Sequence, residues 1–111
     1  MSPLTKIEEI LLLTIWRLGD DAYGVRIRQH VSQVLDKTFT YGNLYSALNQ
    51  LVKKGYVQKW SGEKTSERMG RPRIYYTISS EGFKALRAAQ EMNAMLWSDV
   101  PACAFNPSCD R

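Results

Sequence analysis

Apolar residues recur at intervals of three and four in several stretches of the chain, which is the period of an amphipathic helix. The first stretch runs from Ile7 to Leu18. Thr5 precedes it and Glu8 follows three positions later, which is the spacing of a capping box, and Gly19 comes directly after it. The pattern therefore predicts a first helix that begins after Thr5 and ends at Gly19.

A second amphipathic segment begins at about Tyr23. Its inner face is predicted to carry three apolar residues at helical spacing, Ile27, Val31 and Val34. The polar residues of the same segment fall outside that stripe, and they are Arg26, Arg28, Gln29 and His30. His30 is the only histidine of the chain. A surface position on the helix explains it better than catalysis or metal binding does.

A third helix is predicted between Thr40, a good N-cap, and Gly55, a good C′ residue. Its buried stripe is Leu44, Leu48, Leu51 and Val52. The outer face is small and polar, and it carries Gly42, Asn43, Ser46, Asn49, Gln50 and Lys53, with Tyr41 and Tyr45 flanking it. A helix made only for packing would more often expose Glu and Lys. Asn and Gln can read base edges, and Tyr or Ser hydroxyls can hold phosphates. The alternative is a plain polar helix face.

Two short segments alternate as half-buried strands, Tyr56–Trp60 and Ile74–Ile78, with Ile74, Tyr76 and Ile78 on one face. The thirteen residues between them, 61–73, are predicted to form a long hairpin loop. From Lys53 to Arg73 the chain has seven Lys or Arg against two Glu, a net +5, whereas the whole chain has +4. A basic ribbon beside a capped helix indicates a polyanion partner, most simply duplex DNA. The alternative is a solvated hairpin whose charges only favour solubility.

The last helix is predicted to begin after Ser79, which is a suitable cap. Its apolar stripe is Phe83, Leu86, Ala89, Met92 and Leu96, and Met95 and Trp97 widen it towards the end. The segment from Met92 to Trp97 would expose apolar area unless it meets a partner. The matching helix of a second subunit is the simplest partner. Pro101 and Pro107 end any continuation, so residues 100–111 are expected to form a flexible tail.

The overall composition fits one small globular domain of 111 residues, with 44% hydrophobic and 23% charged residues. No apolar run approaches the ~18–20 residues of a membrane span, and no signal peptide is evident, so the expected location is the cytoplasm. Cys103 and Cys109 are expected to be reduced thiols, since a disulfide between them is sterically possible but unexpected in a reducing compartment. Two Cys with one distant His do not make a four-ligand zinc site. No phosphate loop, dinucleotide fingerprint, H-E-x-x-H or nucleophile elbow is present, so we expect no cofactor and no enzymatic activity.

Three helices, a hairpin with a basic tip and an apolar-striped helix predict a mainly α fold with a small β-hairpin, namely a winged helix-turn-helix plus a C-terminal dimerisation helix. Several motifs then resemble the PadR family of bacterial transcriptional regulators, in the order and spacing of that family. They cover roughly residues 4–97, and they are Tyr23-Gly24, Gly42–Leu48, Leu51–Val57, Gly70–Arg73, Tyr75-Tyr76 and Ser79–Gly82.

The resemblance implies a homodimer that binds a palindromic operator, usually as a repressor, and often releases it when a small hydrophobic or phenolic effector binds near the dimer interface. By position, Tyr45 is the tyrosine with which the family contacts the DNA backbone. Gly70, Arg71 and Arg73 correspond to its wing motif. Ser79 replaces a frequent threonine and preserves the cap, and the single short C-terminal helix fits the small subclass of the family.

The sequence therefore predicts a DNA-binding domain in residues 1–78, a dimerisation helix in 79–99 and a tail in 100–111. The predicted DNA-binding residues are Thr40, Tyr41, Gly42, Asn43, Tyr45, Ser46, Lys64, Arg68, Gly70, Arg71 and Arg73. The predicted dimerisation residues are Leu86, Ala89, Met92 and Leu96, and the candidate effector residues are Met92, Met95 and Trp97. The alternative is a winged-helix protein-interaction module without DNA binding.

Overall fold

The computed structural model describes residues 3–64 and 72–105, without the side chains of residues 63, 64 and 72. Within these ranges the α-helices are α1 (Lys6–Leu18), α2 (Gly24–Leu35), α3 (Tyr41–Lys53) and α4 (Ser80–Trp97). An antiparallel hairpin, β1 (Val57–Lys64) and β2 (Pro72–Ile78), lies between α3 and α4. Short 3-10 turns follow α1 at Gly19–Asp21 and α4 at Ala102–Phe105. This order confirms the predicted helical fold with one hairpin.

The core lies where the first three helices meet the hairpin. Its fully buried side chains come from each of these helices and from β1, and they include Leu11, Leu12, Ile27, Val31, Leu44, Leu48, Leu51 and Val57. Burying a side chain of this size contributes roughly 1.5–3 kcal/mol. Short helices are marginal on their own in water, so this shared apolar face is the main reason that they form.

The start of α1 is tied to the end of α3 through one carboxylate. The Thr5 hydroxyl accepts a hydrogen bond from the Glu8 amide at 3.1 Å, and Glu8 Oε1 accepts one from the Thr5 amide at 2.9 Å, which confirms the predicted capping box. Glu8 Oε2 accepts a bond from Lys54 Nζ at 2.6 Å. Burial raises the pKa of Glu8, but the bonds from Lys54 and Thr5 and the Lys54 charge outweigh it and leave this pKa lowered.

The ends of α3 and α4 meet at a pair of caps. Gly55 has φ of +82°, the left-handed conformation expected of a C′ glycine. Its carbonyl accepts a 2.6 Å bond from the Ser79 hydroxyl, and that hydroxyl also accepts a bond from the Gly82 amide at 3.1 Å. A Cβ at Gly82 would lie 2.2 Å from the Tyr56 carbonyl oxygen. Glycine at position 82 therefore lets the first turn of α4 pack directly on the backbone at Tyr56.

The hairpin is longer than the alternation of apolar residues predicted. Trp60 pairs with Tyr75 and Ser61 with Ile74, and the ladder continues through an irregularity to Lys64 opposite Pro72. The predicted loop over 61–73 is therefore wrong, because both strands extend into it. The added residues of β1, 61–64, are polar or glycine and carry no alternating apolar signal, so the side-chain pattern does not show that the strand continues. On its other edge, β2 pairs with Tyr23 through an isolated bridge opposite Tyr75.

Three apolar residues that were expected in the core are exposed, namely Val34, Ile74 and Phe83. Val34 lies in the last turn of α2, where the partly buried Leu35 packs against the core instead. Ile74 pairs with Ser61, next to the irregularity of the hairpin and beyond the buried Tyr76. On α4, Gly82 and Ala85 are the buried residues, so the helix faces the sheet about one position away from the predicted stripe.

Two further findings concern the C-terminal segment and the helices. Cys103 is disulfide-bonded, so the expectation of a reduced thiol is wrong for this residue. No helix in residues 3–64 and 72–105 has the length and the apolar content needed to cross a membrane.

Candidate nucleic-acid interface

The outer face of α3 is polar and open. Leu44, Leu48 and Leu51 are fully buried on its inner side, which confirms the predicted register of the helix. The predicted contact residues on the opposite side are all exposed, and they are Thr40, Tyr41, Gly42, Asn43, Tyr45 and Ser46. The Thr40 hydroxyl accepts a bond from the Asn43 amide at 3.2 Å and caps the helix as predicted. The Asn43 side chain is therefore not needed for this cap.

Gly42 stands out on this face because packing does not require it. A Cβ at this position would meet no atom within 4 Å, and the residue lacks the positive φ that favours glycine. Glycine destabilises a helix by roughly 0.5–1 kcal/mol relative to alanine. A glycine kept in such a place leaves the backbone of the first turn of α3 accessible to a second molecule.

A stack of three side chains covers the beginning of α3. The rings of Tyr41 and Tyr45 are nearly parallel, with centroids 6.1 Å apart. The guanidinium carbon of Arg28 lies 4.4 Å from the centroid of the Tyr41 ring. Arg28 Nε also donates a 2.7 Å bond to the carbonyl oxygen of Phe39, directly before the cap residue. Arg28 was not among the predicted site residues, and only its place outside the apolar stripe of α2 pointed to it.

Tyr45 packs against the beginning of α2. A Cβ at Gly24 would lie 2.5 Å from the Tyr45 hydroxyl oxygen, so a side chain there would displace the ring. The pKa of Tyr76 is raised by burial and, to a smaller degree, by Tyr45. The motif glycine at position 24 is therefore explained by the close approach of the motif tyrosine, whose ring is also 41% exposed.

A second arginine–aromatic stack lies along the hairpin, between its middle and the irregularity in its ladder. The Arg73 guanidinium carbon is 4.4 Å from the centroid of the Tyr23 ring, and Tyr23 meets Tyr75 edge-on at 5.5 Å. Tyr75 in turn stacks on Trp60 at 4.7 Å, with the two planes 15° apart. Cation–π contacts contribute about 0.5–1 kcal/mol at exposed sites and more when desolvated. The sequence did not predict this cluster, because its residues come from three segments, the start of α2, β1 and β2, which meet only in the folded chain.

The residues between β1 and β2 lie outside the described part of the chain. Lys64 ends β1 and its side chain is not described, while Arg68, Gly70 and Arg71 lie outside the described residues. Of the predicted wing residues, the structure therefore positions the side chain of Arg73 alone. It brings Arg73 onto Tyr23, directly before α2, next to Gly24, where Tyr45 of α3 also packs.

Electrostatics favour an anion at the beginning of α3. The amides of a helix N-terminus attract negative charge, yet the first turn of α3 contains no acidic residue. Arg28 places a full positive charge beside the same turn. In contrast, the first turns of α1 and α4 contain acidic residues.

The residues predicted for dimerisation and effector binding behave differently along α4. Leu86 packs against the core and Ala89 is half-buried, whereas Met92, Met95, Leu96 and Trp97 are exposed. The Trp97 ring lies 5.9 Å from the ring of Phe105. A cavity of about 220 Å³ opens between the N-terminal residues and α4, and Met92 lines it but Met95 and Trp97 do not. The three candidate effector residues therefore do not line one cavity in a single chain.

Comparison with known proteins agrees with this geometry. Residues 12–88 match the model of the family described as "Transcriptional regulator PadR-like family". The chain belongs to this family. PadR-like proteins are transcriptional regulators that bind DNA and are not enzymes, so this chain is a DNA-binding regulator by family. No curated protein is similar enough to count as a match.

Solved structures support the same assignment of the PadR-like chain. A transcriptional regulator from Clostridium thermocellum is 26% identical with a TM-score of 0.65, and the match covers 82% of this chain and 85% of that one. A complex structure of hsRosR-S1, a form of the RosR protein of H. salinarum, is also 26% identical with a TM-score of 0.65, over 85% and 76% of the two chains. A PadR family regulator from Eggerthella lenta, at 22% identity, TM-score 0.62 and coverage of 78% and 73%, supports the fold alone.

Proposed function

We propose that this PadR-like chain is a homodimeric, sequence-specific repressor that inserts α3 into the major groove of a palindromic operator. The observation that carries the proposal is the outer face of α3, which is exposed, polar and without a role in packing the core. Within this face, Tyr41 and Tyr45 contact α2, whereas Gly42, Asn43 and Ser46 are exposed. Gly42, Asn43 and Ser46 would approach the bases, since small and amide side chains suit the major groove.

Phosphate contacts would surround this reading face. Thr40 and Tyr41 lie at the positive end of α3, and Tyr45 presents a partly exposed ring. The basic wing residues Lys64, Arg68, Arg71 and Arg73 would add contacts along the backbone or in the minor groove. Most protein–DNA hydrogen bonds go to phosphate and sugar, and they fix the position of the protein without reading sequence. This division assigns specificity to α3 and salt-sensitive affinity to the wing.

Dimerisation would place two copies of α3 at a fixed spacing. The end of α4 exposes Met92, Met95, Leu96 and Trp97, and an apolar surface of this kind is typical of an interface. A two-fold symmetric pair would present its α3 helices about 34 Å apart, one turn of the duplex. The role also implies that the protein works in the cytoplasm, where it has access to DNA.

The test is DNA selection followed by a salt titration. Duplexes selected from a random pool should be palindromic. The logarithm of the binding constant for these duplexes should fall linearly with the logarithm of the salt concentration. Asn43→Ala should cost about 1–3 kcal/mol on the selected site and less on unrelated duplexes, whereas Arg71→Ala should weaken all duplexes similarly and flatten the salt slope. Gln33→Ala on the exposed side of α2 is the matched control. Binding with no salt slope on any duplex would refute the proposal.

Release by a small hydrophobic or aromatic effector is a second part of the proposal. Trp97 and Met95 are exposed near the proposed interface between subunits, and aromatic and thioether groups pack well on flat apolar ligands. Candidate aromatics should quench tryptophan fluorescence less in Trp97→Phe than in the wild-type chain. If Trp97 only packs the dimer or the Phe105 ring, quenching by ligand will be the same in both proteins.

A winged-helix module that binds only protein is the competing function. It predicts a monomer or a complex with another protein, and it leaves the polar face of α3 without a role. Light scattering after size-exclusion chromatography separates the two functions. A clean monomer that binds no duplex would favour the competing function.

A further inference from the structure

Phe39 connects α2 to α3, and α2 holds both of its backbone groups. The Phe39 amide donates a 3.0 Å hydrogen bond to the Ser32 hydroxyl, and its carbonyl accepts a 2.7 Å bond from Arg28 Nε. Arg28 and Ser32 are one turn apart, so both side chains project from the same side of α2. The Phe39 side chain is buried. The chain therefore enters α3 in one fixed direction, set by two side chains of α2.

The contacts of Arg28 use only part of its guanidinium group. Nε bonds to Phe39 and one face of the group lies on the Tyr41 ring. Among the described residues, neither Nη nitrogen of Arg28 has a hydrogen-bond partner. The Nε bond to Phe39 and the contact with the Tyr41 ring together fix the plane of the guanidinium group. The edge formed by the two Nη nitrogens carries two parallel N–H donors, and it lies on the side of the guanidinium away from the Nε bond.

The position of this charge is unfavourable in the isolated protein. A cation beside a helix N-terminus is repelled by the partial positive charge of the free amides. The first turn of α3 offers no carboxylate to compensate. An external anion would be attracted by both the amides and the guanidinium. The two-donor edge of arginine matches the geometry of a phosphate particularly well.

We propose that Arg28 binds a backbone phosphate of the DNA at the beginning of α3, while its Nε and its ring contact hold that helix in position. The inference rests on the proposed DNA binding and extends it to a residue of α2 outside the recognition helix and the wing. Arg28 would be a phosphate anchor whose own orientation is fixed before binding. Its position next to Tyr41 would set how deeply the start of α3 enters the groove.

The experiment compares three single variants in the same salt titration. Arg28→Gln removes the charge and retains a donor for the Phe39 carbonyl, and Arg28→Lys retains the charge without the two-donor edge. Arg26→Gln is the matched control, because residue 26 lies about 200° around α2 and faces the Leu18 and His30 side of the helix. Circular dichroism and thermal melts of each variant report whether the fold is retained.

Arg28→Gln should weaken binding to selected and unrelated duplexes alike, by about tenfold at low salt, and reduce the salt slope by about one. Arg28→Lys should keep the wild-type slope, and Arg26→Gln should keep both slope and affinity. An Arg28→Gln protein that binds more weakly but with the wild-type slope would overturn the proposal, since Arg28 would then act only on the position of α3. Wild-type protein without any salt-dependent binding would instead refute the proposed function itself.

Ethylation interference gives a second readout that does not depend on a well-folded Arg28→Gln protein. In the wild-type complex, ethylating one particular phosphate in each half-site should block binding. With Arg28→Lys, that phosphate should lose most of its effect, because a single ammonium replaces the two-donor contact, and the other phosphates should be unaffected. An identical interference pattern for wild type and Arg28→Lys would contradict the proposed contact.

Discussion

Gly42→Ala offers the sharpest separation between the stability of the fold and its proposed binding role. The added methyl group would meet no atom within 4 Å, and the residue has no positive φ to lose. Alanine also restricts the unfolded chain more than glycine does. We therefore expect the free energy of unfolding to increase by about 0.5–1 kcal/mol. For a domain of this size that corresponds to a rise in Tm of several degrees.

The same methyl group should weaken DNA binding. Gly42 is the second residue of α3, in the turn that the proposed function brings closest to the groove. A Cβ at a close backbone approach must push the helix outward, which weakens the neighbouring contacts as well. The loss on the selected operator should be at least as large as that of one good base contact, about 1–3 kcal/mol.

Thermal unfolding and fluorescence-anisotropy titration of the same protein preparation test this pair of effects. If Gly42→Ala is more stable than the wild type but binds the operator more weakly, the result supports a close approach of this turn to DNA. Gly24→Ala is the contrasting control, because its methyl group would lie 2.5 Å from the Tyr45 hydroxyl oxygen and should lower both quantities. Unchanged operator affinity for Gly42→Ala would show that the first turn of α3 does not approach the duplex.

Three further predictions concern packing, pH and assembly. Gly82→Ala should lower stability by about 1–3 kcal/mol or more in thermal melts, because its Cβ would lie 2.2 Å from the Tyr56 carbonyl oxygen, and an unchanged Tm would contradict that packing. Because the pKa of Glu8 is lowered in the folded chain, its bond with Lys54 stabilises the protein above the unfolded pKa of about 4.3, and this contribution is lost as the pH falls through the lowered value. Glu8→Gln should therefore be less stable at pH 7 by about 1–3 kcal/mol, and its free energy of unfolding should fall less steeply than that of the wild type as the pH is lowered. If the free energies of both proteins fall in parallel, this role of Glu8 is excluded. Leu96→Asp should leave the melt of the domain largely unchanged but yield a monomer in light scattering, because Leu96 is exposed in the single chain; a persisting dimer would move the interface elsewhere.

Helices and caps could be predicted from the sequence because their signals are local. Thr5, Thr40 and Ser79 each accept a bond from an amide three positions later, as the spacing indicated. The hairpin was less predictable, since Ser61 and Lys64 pair with β2 although residues 61–64 show no alternation of apolar positions. The exposure of Phe83 was missed for another reason. Which side of α4 meets the sheet depends on the close approach of Gly82 to Tyr56, a tertiary contact that periodicity does not contain.

The candidate site shows the same division. The exposed face of α3 followed from its leucine stripe alone. The contacts of Arg28 did not, because they join residues eleven and thirteen positions apart across a turn. In a single sequence, an arginine outside an apolar stripe is indistinguishable from one that only favours solubility.

The two arginine–aromatic stacks converge on adjacent residues at the beginning of α2. The stack on α3 ends with Tyr45 against Gly24, and the stack on the hairpin includes Tyr23 beside Arg73. Because Tyr23 also bridges to β2, α3 and the hairpin both contact the same dipeptide, Tyr23-Gly24. The start of α2 therefore contributes to the angle between α3 and the hairpin. A ligand or partner that displaced the start of α2 would therefore move both proposed DNA contacts together.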